Sequence, residues 1–227
     1  TLRTLALAPL MLQIKKTSLS VHDAVLHSGE KTWKSTLPRF IFFNAPVRKS
    51  FIFYSQFSRN QFFLNNSKRK WKLIVTRMFP FSYFSSLPVP ADIRPKNILF
   101  FGRISKYKGV TMLLDAMPEV IQHYPDAQLI IAGKGADESI LSNENLKKFS
   151  NNIKFINRYI PNAELARLLT EAKFVVCPYT DASQSGVLMT SFAMGKPVVA
   201  TNVGAFSEYV NHNRNGKLIE PNTEELA

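Results

Sequence analysis

The sequence is short of most residues that would assign it quickly. One of its 227 residues is cysteine, so neither an internal disulfide nor a cysteine-built zinc site can form. That thiol, Cys177, lies in the apolar run FVVCP and is expected to be buried, as in a protein of the reducing cytoplasm. The four histidines do not gather with Cys, Asp or Glu at the spacing of a metal-ligand set. No apolar run reaches the ~20 residues that a membrane-spanning helix needs. The GxGxxG turn that opens a dinucleotide-binding helix is missing, which argues against NAD. Acidic side chains are also scarce, with 16 Asp/Glu against 29 Lys/Arg and a net charge of +13.

That deficit is local. Residues 1 to 95 hold 15 Lys/Arg against 3 Asp/Glu, a net of +12, while residues 96 to 227 hold 14 against 13. A basic half can face anionic head groups, nucleic acid or an acidic glycan. The basic residues are scattered and no RNA-type aromatic motif accompanies them, so nucleic acid is not expected as a partner. The opening stretch TLRTLALAPLMLQIKK contains Pro9 and lacks a small-residue cleavage pattern, so it reads as an amphipathic helix of the fold rather than a signal peptide.

Three prolines in SLPVPADIRPK, from Pro88 to Pro95, disfavour helix and mark a linker between a first domain at 1–87 and a second at 96–227. After the linker the pattern is regular. ILFFG (98–102) is a continuous apolar run closed by glycine, as in a strand buried on both faces of a parallel sheet. A helix follows from Gly109 to His123, then the strand AQLIIAG, a polar helix over 137–149, and the strand IKFIN. A helix N-capped by Asn162, the strand FVVCP, a helix stopped at Gly195 and the strand VVAT complete the series. Alternation at this spacing predicts a doubly wound α/β fold with a parallel sheet. Before the linker, TSLSVHD (17–23), SFIFYS (50–55) and KLIVT (72–76) read as strands, and 56–64 as a helix. TLPRFIFFN fits either state.

In such sheets ligands sit outside the carboxyl ends of the strands, and the distinctive loops of the second half all fall there. In DASQSGVLMTSFAMGKPVVATNVGAFSE (181–208) the amides of Gln184, Ser185 and Gly186 open a helix, where N–H groups without intrahelical partners and the positive end of the dipole favour a phosphate. FGRISKYKG (101–109) adds Arg103, Lys106 and Lys108 on a neighbouring loop. A guanidinium fork and a mobile ammonium together can neutralise a diphosphate without a metal. Gly133, Lys134 and Gly135 permit a tight turn and close approach of a ligand, although taken alone they are better explained by a plain turn. VHDAVLHSGE (21–30) places His22 and Asp23 just past a strand, with His27 and Glu30 further on, suited to a general base or to hydrogen bonding a substrate.

FGRISKYKG, IIAGKG, NAELARLLTEAKFVVCPY, SQSGVLMTSFAMGKPVVATNVGAFSEYV and NGKLIEP, in that order, resemble the C-terminal nucleotide-binding domain of retaining GT-B glycosyltransferases, family 4 type. The resemblance covers residues 96–227, and a looser one places SLSVHD and KSFIFYSQFS in the later part of the family's N-terminal domain. It implies two Rossmann-like domains with parallel sheets and an enzyme that moves a sugar from a UDP- or GDP-linked donor to a saccharide or lipid-linked acceptor in polysaccharide biosynthesis. No metal and no cofactor are implied beyond that donor. Arg103 and Lys108 would hold the diphosphate with the amides of Gln184, Ser185 and Gly186. Gly133, Lys134, Thr190, Arg158, Tyr159 and Ile160 would border ribose and base, and His22 would stand beside the transferred sugar as the catalytic candidate. The expected location is the cytoplasm, at the inner face of an anionic membrane that the basic half can touch.

Two departures from the family pattern follow. The family's two glutamates, eight residues apart, correspond here to Ala182 and Thr190, which removes the carboxylate expected at the ribose. The chain also begins inside the family's N-terminal domain and stops before its closing helices, so weak or no transfer is expected from it alone. Two other functions share these features: a nucleotide-sugar epimerase or hydrolase on the same architecture, and a non-catalytic sugar- or nucleic-acid-binding protein.

Overall fold

A computed structural model describes residues 16–22, 48–67, 70–90 and 93–227. Contacts divide the chain into two units, one ending at Met78 and one running from Phe79 to Ala227. The expected helix over the first residues, the stretch TLPRFIFFN, and Asp23, His27 and Glu30 lie outside the described residues.

Within the first unit, β1 (Lys16–Val21), β2 (Arg48–Phe53) and β3 (Lys72–Val75) form a parallel sheet in the order β1-β2-β3. Helix α1 (Gln56–Asn66) connects β2 to β3 and starts where Ser55 accepts a hydrogen bond from the Ser58 N–H at 3.0 Å. Alternation along β2 puts Phe51 and Phe53 on one face, where Phe62 of α1 meets them at ring-centroid distances of 4.7 and 5.1 Å. Trp71 closes the cluster 4.8 Å from Phe51. Burial of each phenylalanine stabilises the unit by roughly 1.5–3 kcal/mol, which identifies this aromatic cluster as its core.

The second unit has β4 (Asn97–Phe101), β5 (Gln128–Ala132), β6 (Ile153–Ile156), β7 (Ala172–Cys177), β8 (Val198–Thr201) and β9 (Gly216–Ile219). All pair in parallel, in the order β6-β5-β4-β7-β8-β9. The chain winds outward one way from β4 through β5 to β6, then returns to lay β7 on the other side of β4. The switch point is therefore the gap between the carboxyl ends of β4 and β7, and a ligand crevice is expected there. Leu99, Ile131 and Val175 are fully buried, because helices α2 (Val110–His123), α5 (Asn162–Glu171) and α6 (Gly186–Ala193) are interleaved with the strands.

Several details differ from the expectations. The polar helix over 137–149 is two short helices, α3 (Glu138–Leu141) and α4 (Glu144–Lys148), because the first ends at Ser142 and Asn143 caps the second through the Asn145 N–H. Asn162 is the first residue of α5 rather than its cap, and Pro161, with its fixed φ, stands at the cap. NGKLIEP supplies an edge strand, β9, that sequence periodicity did not mark. The second unit also starts at Phe79, ahead of the Pro88–Pro95 stretch. Prolines mark where helix is barred, but packing sets the boundary: the Phe81 N–H donates to Met189 O at 3.4 Å, and the single turn Phe84–Ser86 packs on α5 and α6. A last short helix, α7 (Thr223–Leu226), follows β9 and packs on α2.

Candidate functional site

The loop leaving β4 and the loop leaving β7 are fastened to each other across the switch point. Gly109 adopts φ +66 at the start of α2, and a Cβ there would overlap the Pro178 carbonyl, so only glycine lets the two loops close. The Thr180 N–H donates to Tyr107 O at 2.8 Å from the other side. On the far flank, the Ile104 N–H donates to Lys134 O at 2.9 Å and Gly133 N–H to Ile156 O at 2.9 Å, which ties in the loops after β5 and β6.

Two cavities open along these joined loops and share Phe101, Gly102 and Leu165 in their walls. The one beyond β4 and β7 has a volume of about 440 Å³ and takes Lys108, Tyr179, Gln184, Ser185, Gly186 and Thr190 into its lining. The one beyond β4, β5 and β6, about 530 Å³, is lined by Arg103, Gly133, Lys134, Arg158, Tyr159 and Ile160. Every residue expected to bind the donor thus falls in one cavity or the other. Arg103 and Lys108 do not line the same one.

Lys108 is the charged group of the smaller cavity. It is 8% exposed and sits with Nζ 5.0 Å from the centre of the Tyr179 ring. Burial lowers its pKa to about 8, the Cys177 thiol beneath it acts in the opposite direction, and Arg103 lowers it further. Among the described residues no carboxylate pairs with Lys108. A desolvated ammonium without a counterion is held in place only by surrounding structure, and an arriving anion would relieve it. Burial pushes the Cys177 thiol up to about 12, so it stays neutral and unreactive.

Opposite Lys108 is the start of α6. Ser185 caps it, its hydroxyl accepting from the Leu188 N–H at 3.4 Å, and Gly186 is the exposed first helical residue. The first-turn amides therefore face the cavity with no intrahelical acceptor. Thr190 is buried, and its hydroxyl already donates to Gly186 O at 2.9 Å. Ala182 is buried with its carbonyl packed beneath Gly204, so the other position of the family's glutamate pair contributes no polar side chain.

In the larger cavity Arg158 is already engaged. It forms a two-pronged pair with Glu164 at 2.7 and 2.8 Å and donates to Tyr159 O at 3.2 Å, which fixes the turn carrying Tyr159 and Ile160. The pair holds the guanidinium above and the Glu164 carboxyl below their ordinary pKa values, each mainly through the hydrogen bonds. Arg158 thus shapes this wall and leaves little of its fork for a ligand. His22 is exposed at the end of β1 in the first unit, with its ring 5.3 Å from that of Tyr54.

Sequence reasoning missed Tyr179, Phe81 and Phe84. Tyr179 is 2% exposed, packed between Tyr107, edge to face at 6.1 Å, and Phe206, tilted at 5.2 Å. Its position two residues past a buried strand, in the ligand-facing loop, was the available signal. Burial and Cys177 push its phenol well above the ordinary value. Ser185 stands near enough to offset part of that rise, yet no hydrogen bond of ordinary geometry reaches the hydroxyl. The side-chain nitrogen and oxygen of Gln184 are likewise buried without a partner.

Comparison with known proteins agrees with this architecture. The chain is 30% identical over 133 residues to a phosphatidyl-myo-inositol mannosyltransferase of Mycobacterium tuberculosis, covering 58% of this chain and 34% of that protein. It is 28% identical over 186 residues to an uncharacterized glycosyltransferase of Methanocaldococcus jannaschii, covering 82% and 45%. It thus spans between a third and a half of these relatives' length. Its fold matches the crystal structure of Anabaena HepE, solved in complex with UDP, with a TM-score of 0.76 at 19% identity over 98% of this chain and 70% of that one. The parallel-sheet α/β fold is of the GT-B type. The profile of the group 1 glycosyl transferases matches residues 95–227, more than half of the chain, and the chain belongs to that family.

Proposed function

We propose that the chain is the donor-binding part of a retaining, metal-independent glycosyltransferase of family 4 type, taking a sugar from a UDP- or GDP-linked donor to a saccharide or lipid-linked acceptor in polysaccharide biosynthesis. The observation that carries this reading is the small cavity at the β4/β7 switch point. There a buried, unpaired Lys108 faces the open amides of α6, and the mainly apolar larger cavity adjoins it. The first suits a diphosphate and the second a base, and a protein of the same fold is known bound to UDP.

On this reading Lys108, the amides of Gln184, Ser185 and Gly186, and Arg103 from the adjoining wall receive the negative charge that develops on the departing diphosphate. Charge stabilisation by preorganised groups is the main catalytic contribution. Gly133, Lys134, Tyr159 and Ile160 border the base, on a turn braced by Arg158, and Thr190 lies nearer the phosphates. His22 acts beside the transferred sugar, and the net +12 of residues 1 to 95 engages an anionic membrane surface at the cytoplasmic side. Among the described residues no helix is long and apolar enough to cross a membrane.

Because the chain spans under half of these relatives, binding is the appropriate readout. Thermal melting with UDP, GDP, ADP, UDP-glucose and GDP-mannose is expected to show a rise with the nucleotides of one base and little with the others. If none of the five shifts the melting temperature at millimolar concentration, the donor-site reading is wrong.

A further inference from the structure

The polar side chains that line the smaller cavity differ in what they leave for a ligand. Lys108 is a cation above the Tyr179 ring, the Ser185 hydroxyl accepts from Leu188, and the Thr190 hydroxyl donates to Gly186 O. Gln184 retains the full hydrogen-bonding capacity of its side chain: both amide atoms are closed to solvent and unpaired, whereas the Tyr179 hydroxyl has the Ser185 hydroxyl near it. Buried polar groups in folded proteins nearly always have partners, and an unpaired one in a cavity wall calls for a partner from outside the chain.

The chemistry of the amide limits what that ligand can be. Its nitrogen only donates and its oxygen only accepts. Phosphate oxygens at neutral pH accept, so they would satisfy the nitrogen and leave the oxygen unpaired. Two adjacent hydroxyls satisfy both, one accepting from Nε2–H and the other donating to Oε1. We infer that Gln184 recognises a vicinal diol of the bound donor through its side-chain amide, an uncharged contact at a site where the family pattern places carboxylates and this chain has Ala182 and Thr190.

This rests on the donor-site reading above, and it gives the Gln184 side chain a role distinct from that of its backbone N–H at the phosphates. The Tyr179 hydroxyl, in the same wall, is a second neutral contact. Phe81 and Phe84 cover this side of the cavity. Phe81, 41% exposed, lies beside Gly186 in that wall.

A nucleotide sugar carries such diols on its ribose and on its transferred sugar, and titration calorimetry separates the two. The 227-residue chain and Gln184→Leu are each titrated with UDP, UDP-glucose, GDP and GDP-mannose, and both are melted without ligand. Leucine removes two unsatisfied atoms at similar volume, so the ligand-free variant is expected to melt no lower than the wild type while its affinity falls about tenfold. Equal loss for the nucleoside diphosphate and its sugar assigns the ribose diol; loss confined to the sugar nucleotide assigns the transferred sugar. If the leucine variant melts lower, Gln184→Met, longer and more adaptable, replaces it in the same titrations. Unchanged affinity in a variant that melts like the wild type overturns the inference. A wild-type chain that binds none of the four removes the donor-site reading and this inference with it.

Discussion

The cavity on the β7 side of Gly102 holds a buried ammonium, a helix N-terminus and five amide- or hydroxyl-bearing side chains, whereas the cavity on the β5 side is walled by Phe101, Ile104, Ile160 and Leu165 with its charges at the rim. Both are made by loops leaving the same parallel sheet, a few residues apart. Burial separates them: Lys108 is 8% exposed and loses much of its hydration, while Arg103, Lys134 and Arg158 remain open to water. A charge kept out of water is worth more to an incoming anion than the same charge at a surface. The site therefore concentrates phosphate affinity in one lysine and leaves the neighbouring wall to shape and apolar contact.

The strongest test of that division is to remove the lysine. In Lys108→Met the side chain keeps its length and loses its charge, and a hydrogen bond to a charged group is worth about 1.5–3 kcal/mol. Affinity for the preferred nucleoside diphosphate is expected to fall by about 10- to 100-fold, while affinity for the bare nucleoside stays as it was. Calorimetry with both ligands makes the comparison. An equal fall for nucleoside and nucleotide would mean that the two cavities are not divided by charge.

A smaller effect comes from pH, and its two halves carry opposite signs. The folded-state pKa of Lys108, about 8, lies below the ordinary lysine value of 10.5, so the penalty of burying its charge is fully present below pH 8. Between about pH 8 and 10.5 the unfolded chain binds a proton that the folded chain does not, and this group makes the ligand-free fold more stable as pH rises. Binding of a diphosphate needs the ammonium. Nucleotide affinity is therefore expected to be level below pH 8 and to fall by up to about tenfold per pH unit above it. Lys108→Arg, whose guanidinium stays charged, should remove the break. Affinity that is level to pH 10 in the unaltered chain would place the phosphate contact elsewhere.

Sequence legibility followed the same division. The buried strands could be read from ILFFG and FVVCP because a strand covered on both faces must be apolar throughout, and the switch-point loops follow from strand order. Lys108 was nameable because FGRISKYKG gathers three bases in the short loop between a strand and a helix and matches the family motif. Its separation from Arg103, by contrast, depends on which way each side chain leaves a turn, and no residue pattern encodes that. Asn143 was missed as a break because a cap and a helix interior differ by a backbone angle rather than by hydropathy. Gln184 was read only for its backbone; the orphaned state of its amide depends on what Ser185 and Thr190 bond to instead. β9 escaped because GKLI is short and sits at a sheet edge, where only Ile219 is fully buried.

The smallest expected effect concerns the rim of the apolar cavity. Glu164 accepts both prongs of the Arg158 guanidinium, yet the two side chains are 54% and 31% exposed, in the order Arg158, Glu164. Water and salt screen such a pair, and exposed pairs contribute little to stability. In Glu164→Gln the fork loses a charged partner but keeps one acceptor, and the bond from Arg158 to Tyr159 O is left intact. Melting temperature is expected to stay within the scatter of the measurement, and nucleoside affinity to change by less than about threefold, the change vanishing in high salt. Nucleoside diphosphate affinity should follow the nucleoside, because nothing near Lys108 has moved. A large gain specific to the diphosphate in this variant would mean that Arg158, once released from Glu164, reaches the phosphates alongside Lys108, and that the boundary at Gly102 separates shapes but not charges.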